Sequence, residues 1–109
     1  MCRASGAGAC IEYGHVPTLP DVDDLVRSGC VTGASARNWS GYGVHIELSP
    51  GLPDTARALL TDPQTSGGLL VACSAETVDE VLGIFTHDAF DRAAVIGEIT
   101  DGPVHVVVQ

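Results

Sequence analysis

The residues best suited to chemistry in this chain lie in one polar turn, residues 62–68. Its members are a carboxylate, an amide, two hydroxyls and two glycines: Asp62, Gln64, Thr65, Ser66, Gly67 and Gly68. The glycines expose bare backbone N–H groups that a ligand or a partner backbone can approach closely. The alternative is a plain helix-to-strand loop in which the glycines accept a positive φ.

A second polar pair, Arg37 and Asn38, lies in a stretch rich in glycine and serine. The guanidinium supplies planar bidentate donors for an anionic group, and the amide adds directional ones. The alternative is an ion pair between Arg37 and one of the fourteen acidic residues, with Asn38 supporting a turn. Trp39 and Tyr42 are expected to anchor this stretch on the fold.

Several catalytic classes lack their residues here. All five basic residues are arginine, so a Walker A loop, a Schiff base and lysine-assisted phosphoryl transfer are excluded. The four cysteines contain no Cys-x-x-Cys pair, and the four histidines are scattered. Ser66 has Gln64 where a nucleophile elbow needs glycine. We predict no catalytic residue and no metal ligand, and we assign the acidic cluster of Asp21, Asp23 and Asp24 to helix-end charge.

The acidic composition of the chain argues against two classes of partner, nucleic acids and membranes. The 109 residues carry a formal net charge of −9, and an acidic surface repels phosphate backbones and anionic lipid. We therefore expect neither nucleic acid nor a membrane as a partner. No apolar run reaches the roughly 18 residues of a membrane span, and no secretory signal is present, so a cytoplasmic protein is expected.

Alternating helices and strands are predicted to hold the polar residues. Strands are predicted over Ala9–Val16, Val44–Leu48, Gly68–Cys73, Ala93–Ile99 and Val104–Val108. Helices are predicted over Asp21–Gly29, from Pro53 to Thr61 and after a Ser74 cap, following the last turn of a helix at Met1–Gly6. Residues 30–43 are predicted as a loop and the last two strands as a hairpin. This order predicts one α+β domain, a mixed sheet with helices packed on it.

Three segments resemble the selenide, water dikinase (selenophosphate synthase) family. Asp62–Leu70 is similar to its Asp-Pro-Gln-Thr-Ser-Gly-Gly-Leu-Leu signature. Thr32–Asn38 resembles its Gly-Gly-Thr-x-Arg-Asn element, with Ala34 and Ser35 replacing the second glycine and the threonine. Ala94–Ile99 resembles its late Ile-Gly-Glu strand. The three segments fall in the family's order.

The resemblance implies a phosphotransferase that converts selenide, ATP and water into selenophosphate, AMP and phosphate with magnesium. Residues 1–109 would form one truncated C-terminal domain of a two-domain enzyme. Its fold would be an α/β sandwich, partly ferredoxin-like, as in the aminoimidazole ribonucleotide synthetase-like superfamily. The family's catalytic cysteine or selenocysteine, its lysine and most metal-binding aspartates lie in an N-terminal ATP-binding domain. The chain is therefore expected to be inactive alone, to bind no ATP or Mg²⁺ by itself, and to pair with that domain in a homodimer.

The resemblance also assigns candidate residues to the substrate and nucleotide cleft: Arg37, Asn38, Asp62, Gln64, Thr65, Ser66, Gly67 and Gly68. If they share a cleft, the two polar segments must lie on one side of the sheet, facing the N-terminal domain. Two other functions stay open. One is a non-catalytic interaction or dimerisation domain, and the other is the C-terminal half of an aminoimidazole ribonucleotide synthetase-like enzyme.

Overall fold

Four short strands form one mixed sheet. The computed structural model describes residues 1–109, with β1 at Gly8–Ile11, β2 at Ile46–Leu48, β3 at Gly97–Thr100 and β4 at Val106–Val108. The spatial order is β2-β4-β1-β3. β4 runs parallel to both β1 and β2, and β3 is antiparallel to β1. The predicted α+β class is confirmed.

The predicted hairpin between the last two strands is wrong, because β1 lies between β3 and β4. The connection after Thr100 crosses the end of β1, where the His105 carbonyl accepts from the Ala9 N–H at 2.9 Å. Gly8 makes this crossing possible. A Cβ there would lie 2.7 Å from the Pro103 carbonyl oxygen, so only glycine leaves room.

The chain also forms five α-helices. They are α1 at Cys2–Ser5, α2 at Val22–Arg27, α3 at Gly33–Tyr42, α4 at Ala56–Leu60 and α5 at Val78–His87. Three 3-10 turns, at Tyr13–His15, Gly43–His45 and Ala75–Thr77, complete the regular structure. No helix has the length and apolar character that crossing a bilayer requires.

The helix positions agree with the prediction in most places. α1 ends at Gly6 in the left-handed conformation with φ of 67°, as the glycine signal predicts. In α5 the apolar residues Val78, Val81 and Phe85 lie on the less exposed face. α2 is also confirmed, with Asp21 at its N-cap position, although the Asp21 side chain makes no capping hydrogen bond.

The largest error of helix prediction is α3, which occupies most of the stretch predicted as a loop. Glycines and serines lower its intrinsic propensity. Two features outweigh that cost. The Thr32 side chain accepts a hydrogen bond from the Ser35 N–H, which caps the helix. The helix also packs against α4.

The predicted strands are too long, and one is absent. The predicted Ala9–Val16 strand ends at Ile11 and the predicted Val44–Leu48 strand begins at Ile46, because the neighbouring residues form 3-10 turns. The predicted Gly68–Cys73 strand is wrong. Residues 63–73 take part in no backbone hydrogen bond, since no other strand lies alongside to pair with them. Leu69 is 81 % exposed there and Leu70 is 61 % exposed.

The core is small. Only six of 109 residues are buried, and the apolar ones are Ala9, Ala56 and Val108. The accessible surface is 7,733 Å², whereas a compact domain of this mass exposes about 5,700 Å². The chain therefore leaves much apolar surface that its own residues do not cover.

A polar cluster ties the first 3-10 turn to α2 and α4. Thr55, only 4 % exposed, donates its hydroxyl to Asp23 Oδ1 at 2.6 Å. Partial burial raises the pKa of the Tyr13 phenol above its usual value, and the Asp23 carboxylate adds to the rise, while a hydrogen bond with Thr55 opposes it.

This shift makes the fold sensitive to alkali. The folded-state pKa of Tyr13 lies above the unfolded value of about 10, so its contribution is complete below that pH and is lost as the pH rises through the folded pKa. We expect the Tyr13→Phe variant to lose less stability than the wild type above pH ~10. Thermal unfolding across that range measures the difference. Tyr42→Phe, at an exposed tyrosine, is the control, and equal slopes for Tyr13→Phe and wild type would contradict the assignment.

Candidate functional site

One face of α3 holds the end of α4 through polar side chains. Thr32, Ser35 and Asn38 are spaced three apart, which places them on one side of the helix. The Ser35 hydroxyl donates to the Ala58 carbonyl at 3.5 Å, and the Asn38 amide donates to the Thr61 carbonyl at 2.8 Å. These bonds satisfy carbonyls that the last turn of α4 leaves free.

Asp62 joins this face to the polar turn. Its Oδ1 accepts from the Thr32 hydroxyl at 3.3 Å, and its Oδ2 accepts from the Gln64 amide at 2.8 Å. The Thr32 hydroxyl at the same time accepts from the Ser35 N–H at 3.3 Å. The polar turn thus contacts Thr32, which lies 30 residues before Asp62 and begins the segment that contains Arg37 and Asn38.

Trp39 also fastens α3 to α4. The Arg57 guanidinium carbon lies 5.8 Å from the centroid of the Trp39 ring, a cation–π distance. Gly43 packs on the same ring, because a Cβ added to this glycine would lie 2.9 Å from the Trp39 Cε2 atom. The prediction that Trp39 anchors this segment is confirmed. The same prediction for Tyr42 is wrong, because its side chain is exposed.

Arg37 has a different environment from Asn38. The ion pairs of the chain involve Arg27, His87 and His105, so Arg37 is paired with no acid. Successive helix residues project about 100° apart. The Asn38 side chain faces α4. The Arg37 side chain instead lies beside Gly33, since a Cβ added to that glycine would lie 3.6 Å from the Arg37 Nη1. The structure therefore does not bring the two side chains together on one group, and only the guanidinium is free to bind an anion.

The polar turn is open beyond Gln64. The hydroxyls of Thr65 and Ser66 make no hydrogen bond within the chain, and neither do the N–H groups of Gly67 and Gly68. All four residues are exposed. Two hydroxyls and two backbone N–H groups can bind phosphate oxygens by donating hydrogen bonds.

The candidate residues lie on an open surface and do not line the main hollows. One hollow of about 440 Å³ is bordered by residues 18–24 and Arg92, whose guanidinium donates to the Thr18 carbonyl. A second, of about 430 Å³, lies between Leu48 and Arg57. No three histidine, cysteine, aspartate or glutamate side chains are grouped to hold a metal ion.

Thr32 is the member that sequence reasoning did not select. It lies in the segment that resembles the family element, and its hydroxyl makes two of the bonds described above. Threonine is among the residues preferred at helix N-caps, and Thr32 is the signal that would have placed the start of α3 correctly.

Comparison with known proteins places the whole chain in one group. The model of the family described as AIR synthase related protein, C-terminal domain, matches residues 1–109. A protein of Burkholderia orbicola (strain MC0-3) named selenide, water dikinase is 55 % identical over 99 % of this chain. Proteins of the same name from Burkholderia pseudomallei (strain K96243) and Rhizobium meliloti (strain 1021) are 55 % and 38 % identical.

The match covers only part of those relatives. This chain spans 30 % of the Burkholderia orbicola protein and 31 % of the other two.

Proposed function

Because this chain belongs to the AIR synthase related protein, C-terminal domain family, we propose that it is the C-terminal domain of a selenide, water dikinase. The intact enzyme would convert selenide, ATP and water into selenophosphate, AMP and phosphate. The carrying observation is the 55 % identity to proteins of that name, which extends over 99 % of the chain. The meeting of the two resembled segments at Asp62 supports the proposal.

In this proposal the chain contributes groups that bind phosphate. ATP supplies the phosphoryl group, and the free donors fit its anionic oxygens: the Arg37 guanidinium, the hydroxyls of Thr65 and Ser66, and the N–H groups of Gly67 and Gly68. The same surface does not fit Mg²⁺, because its one carboxylate, Asp62, already accepts two hydrogen bonds. We therefore assign no magnesium ligand and no catalytic residue to this chain.

The proposed partner is the rest of the longer polypeptide, including an N-terminal ATP-binding domain, in a cytoplasmic homodimer. The surface excess of roughly 2,000 Å² over a compact domain is the size that a permanent interface buries. The net charge of −9 argues against nucleic acid or a membrane as the partner.

The uncovered apolar surface has a consequence for the isolated chain. Leu69 and Leu70 are exposed and lie in a segment without backbone hydrogen bonds, so we expect the chain to self-associate through them. Sedimentation velocity should show the Leu69→Ser/Leu70→Ser variant to be monomeric where the wild type is not. Leu19→Ser, at another exposed leucine, is the control. A strictly monomeric wild type at high concentration would contradict this expectation.

The function is tested in a chimera in which this chain replaces the matching segment of the Burkholderia orbicola relative. We expect the chimera to consume ATP in a selenide-dependent reaction because the chain is 55 % identical to the segment it replaces. Its rate should fall by no more than about 100-fold, the cost of a misplacement of about 1 Å. The relative with that segment deleted should be inactive. A folded chimera that shows no selenide-dependent ATP consumption would contradict the proposal.

A further inference from the structure

The eight candidate cleft residues fall into two groups by their hydrogen bonds. The side chains of Asn38, Asp62 and Gln64 each make at least one hydrogen bond within the chain. The side chains of Arg37, Thr65 and Ser66 make no hydrogen bond within the chain, and neither do the N–H groups of Gly67 and Gly68. A side chain already engaged within the protein is poorly placed to bind a ligand, because binding would first break its existing bond.

We propose that Thr32, Asn38, Asp62 and Gln64 are positioning residues that hold residues 65–68 in place relative to Arg37, and that they do not themselves contact the substrate. This inference rests on the proposed function only for the identity of the ligand. It assigns Thr32 a role and separates positioning side chains from those free to bind.

The backbone of the turn is not held by hydrogen bonds of its own. Residues 63–73 have no backbone hydrogen bond to the body of the protein. The last backbone tie before them is the Asp62 N–H, which donates to the Leu59 carbonyl at 3.3 Å. Side chains must therefore fix the direction in which the turn leaves α4.

The hydrogen bonds form a continuous relay from α3 to the turn. The Ser35 N–H donates to the Thr32 hydroxyl, which donates to Asp62, and the opposite oxygen of that carboxylate receives the Gln64 amide. The Gln64 side chain also contacts Gly67: a Cβ added to this glycine would lie 2.9 Å from the Gln64 Cβ. Together these bonds fix the position of the turn relative to α3. Arg37 lies on the same helix, so the bonds also fix the turn relative to Arg37. A charged acceptor at the centre strengthens both of its bonds.

The proposal predicts a change in order at the turn that does not depend on activity. In the chimera labelled with ¹⁵N-glycine, the heteronuclear NOE of the Gly67 and Gly68 amides should fall in Thr32→Val and in Asp62→Asn. Thr32→Ser keeps the hydroxyl and should retain the wild-type NOE. Ser40→Ala removes a hydroxyl of α3 that bonds only to the Ala36 carbonyl, so it is the matched control.

Kinetics test the link to catalysis. We expect Thr32→Val and Asp62→Asn each to lower kcat by about tenfold or more, because small displacements of binding groups are costly in the transition state. Thr32→Ser should restore kcat and Ser40→Ala should leave it unchanged. A purely structural role would lower the melting temperature without lowering the kcat of the folded protein.

Two results would overturn the inference. One is an unchanged NOE in Thr32→Val and Asp62→Asn, and the other is a reduced NOE with an unchanged kcat. If the wild-type chimera is inactive, the proposed function fails, and the NOE comparison alone then decides whether these residues position the turn.

Discussion

Replacing Gly67 with valine in the chimera should lower kcat/KM by about 100-fold while the melting temperature stays within a few degrees of the wild type. A Cβ at position 67 would lie 2.9 Å from the Gln64 Cβ, so the valine displaces the turn as well as blocking close approach to its backbone. The fold is little affected, because the surrounding residues 63–73 contribute no backbone hydrogen bond and are exposed.

The control is Gly14→Val, since a Cβ at Gly14 meets nothing within 4 Å. It should leave both quantities unchanged. Steady-state kinetics and thermal unfolding of the same preparations separate the two effects. Full activity in Gly67→Val, or a collapse of the melting temperature equal to the loss of activity, would show that the turn is scaffold only.

The second large effect is expected at Gly97, where β3 pairs with β1. Gly97 is opposite Ile11, and a Cβ there would collide with the Cys10 carbonyl and lie 2.9 Å from the Ile11 Cα. These are backbone atoms that cannot turn aside as a side chain can. We expect Gly97→Ala to cost about 3 kcal/mol of unfolding free energy, or roughly 15 °C in melting temperature.

Gly83→Ala gives the matched comparison for Gly97→Ala. Gly83 lies inside α5 with nothing within 4 Å of its Cβ position, so alanine there should stabilise the protein by about 0.5–1 kcal/mol. Chemical denaturation measures both variants. The account of the β1–β3 pairing is contradicted if Gly97→Ala is as stable as the wild type.

Local signals were enough to predict much of the fold. The glycine that ends α1 and the helical spacing in α5 predicted those elements, since each depends on residues within a turn or two. The pairing of strands depends on contacts between residues far apart in the sequence. In this sheet β1 lies between β3 and β4, which follow one another in the sequence. Sequence spacing cannot show that crossing, although Gly8 is the residue that permits it.

The two main errors have opposite physical causes. The stretch from Gly33 to Tyr42 has weak helix propensity and is helical because a threonine cap and contacts with α4 stabilise it. The stretch from Gly68 to Cys73 has strong strand character and is irregular because nothing lies alongside to pair with it. In the first case tertiary contacts outweigh a weak helix propensity. In the second case a strong strand propensity is insufficient without a partner strand.

For the candidate site, the sequence predicted which segments matter but not what each side chain does. The polar types in residues 62–68 and the pair at 37–38 pointed to neighbouring parts of the structure, where Thr32 bonds Asp62 and Asn38 bonds the Thr61 carbonyl. The separate orientations of Arg37 and Asn38 required knowing that they lie on a helix. The engagement of Asp62 by Thr32 required the tertiary contact itself.

Phosphorus NMR of the chimera with ATP and selenide identifies the reaction products. We expect selenophosphate, AMP and phosphate in equal amounts from the chimera. We expect no ATP consumption by the isolated 109-residue chain, which has no lysine and no grouped metal ligands. Formation of ADP in place of AMP by the chimera, or selenide-dependent AMP from the isolated chain, would contradict the proposed function.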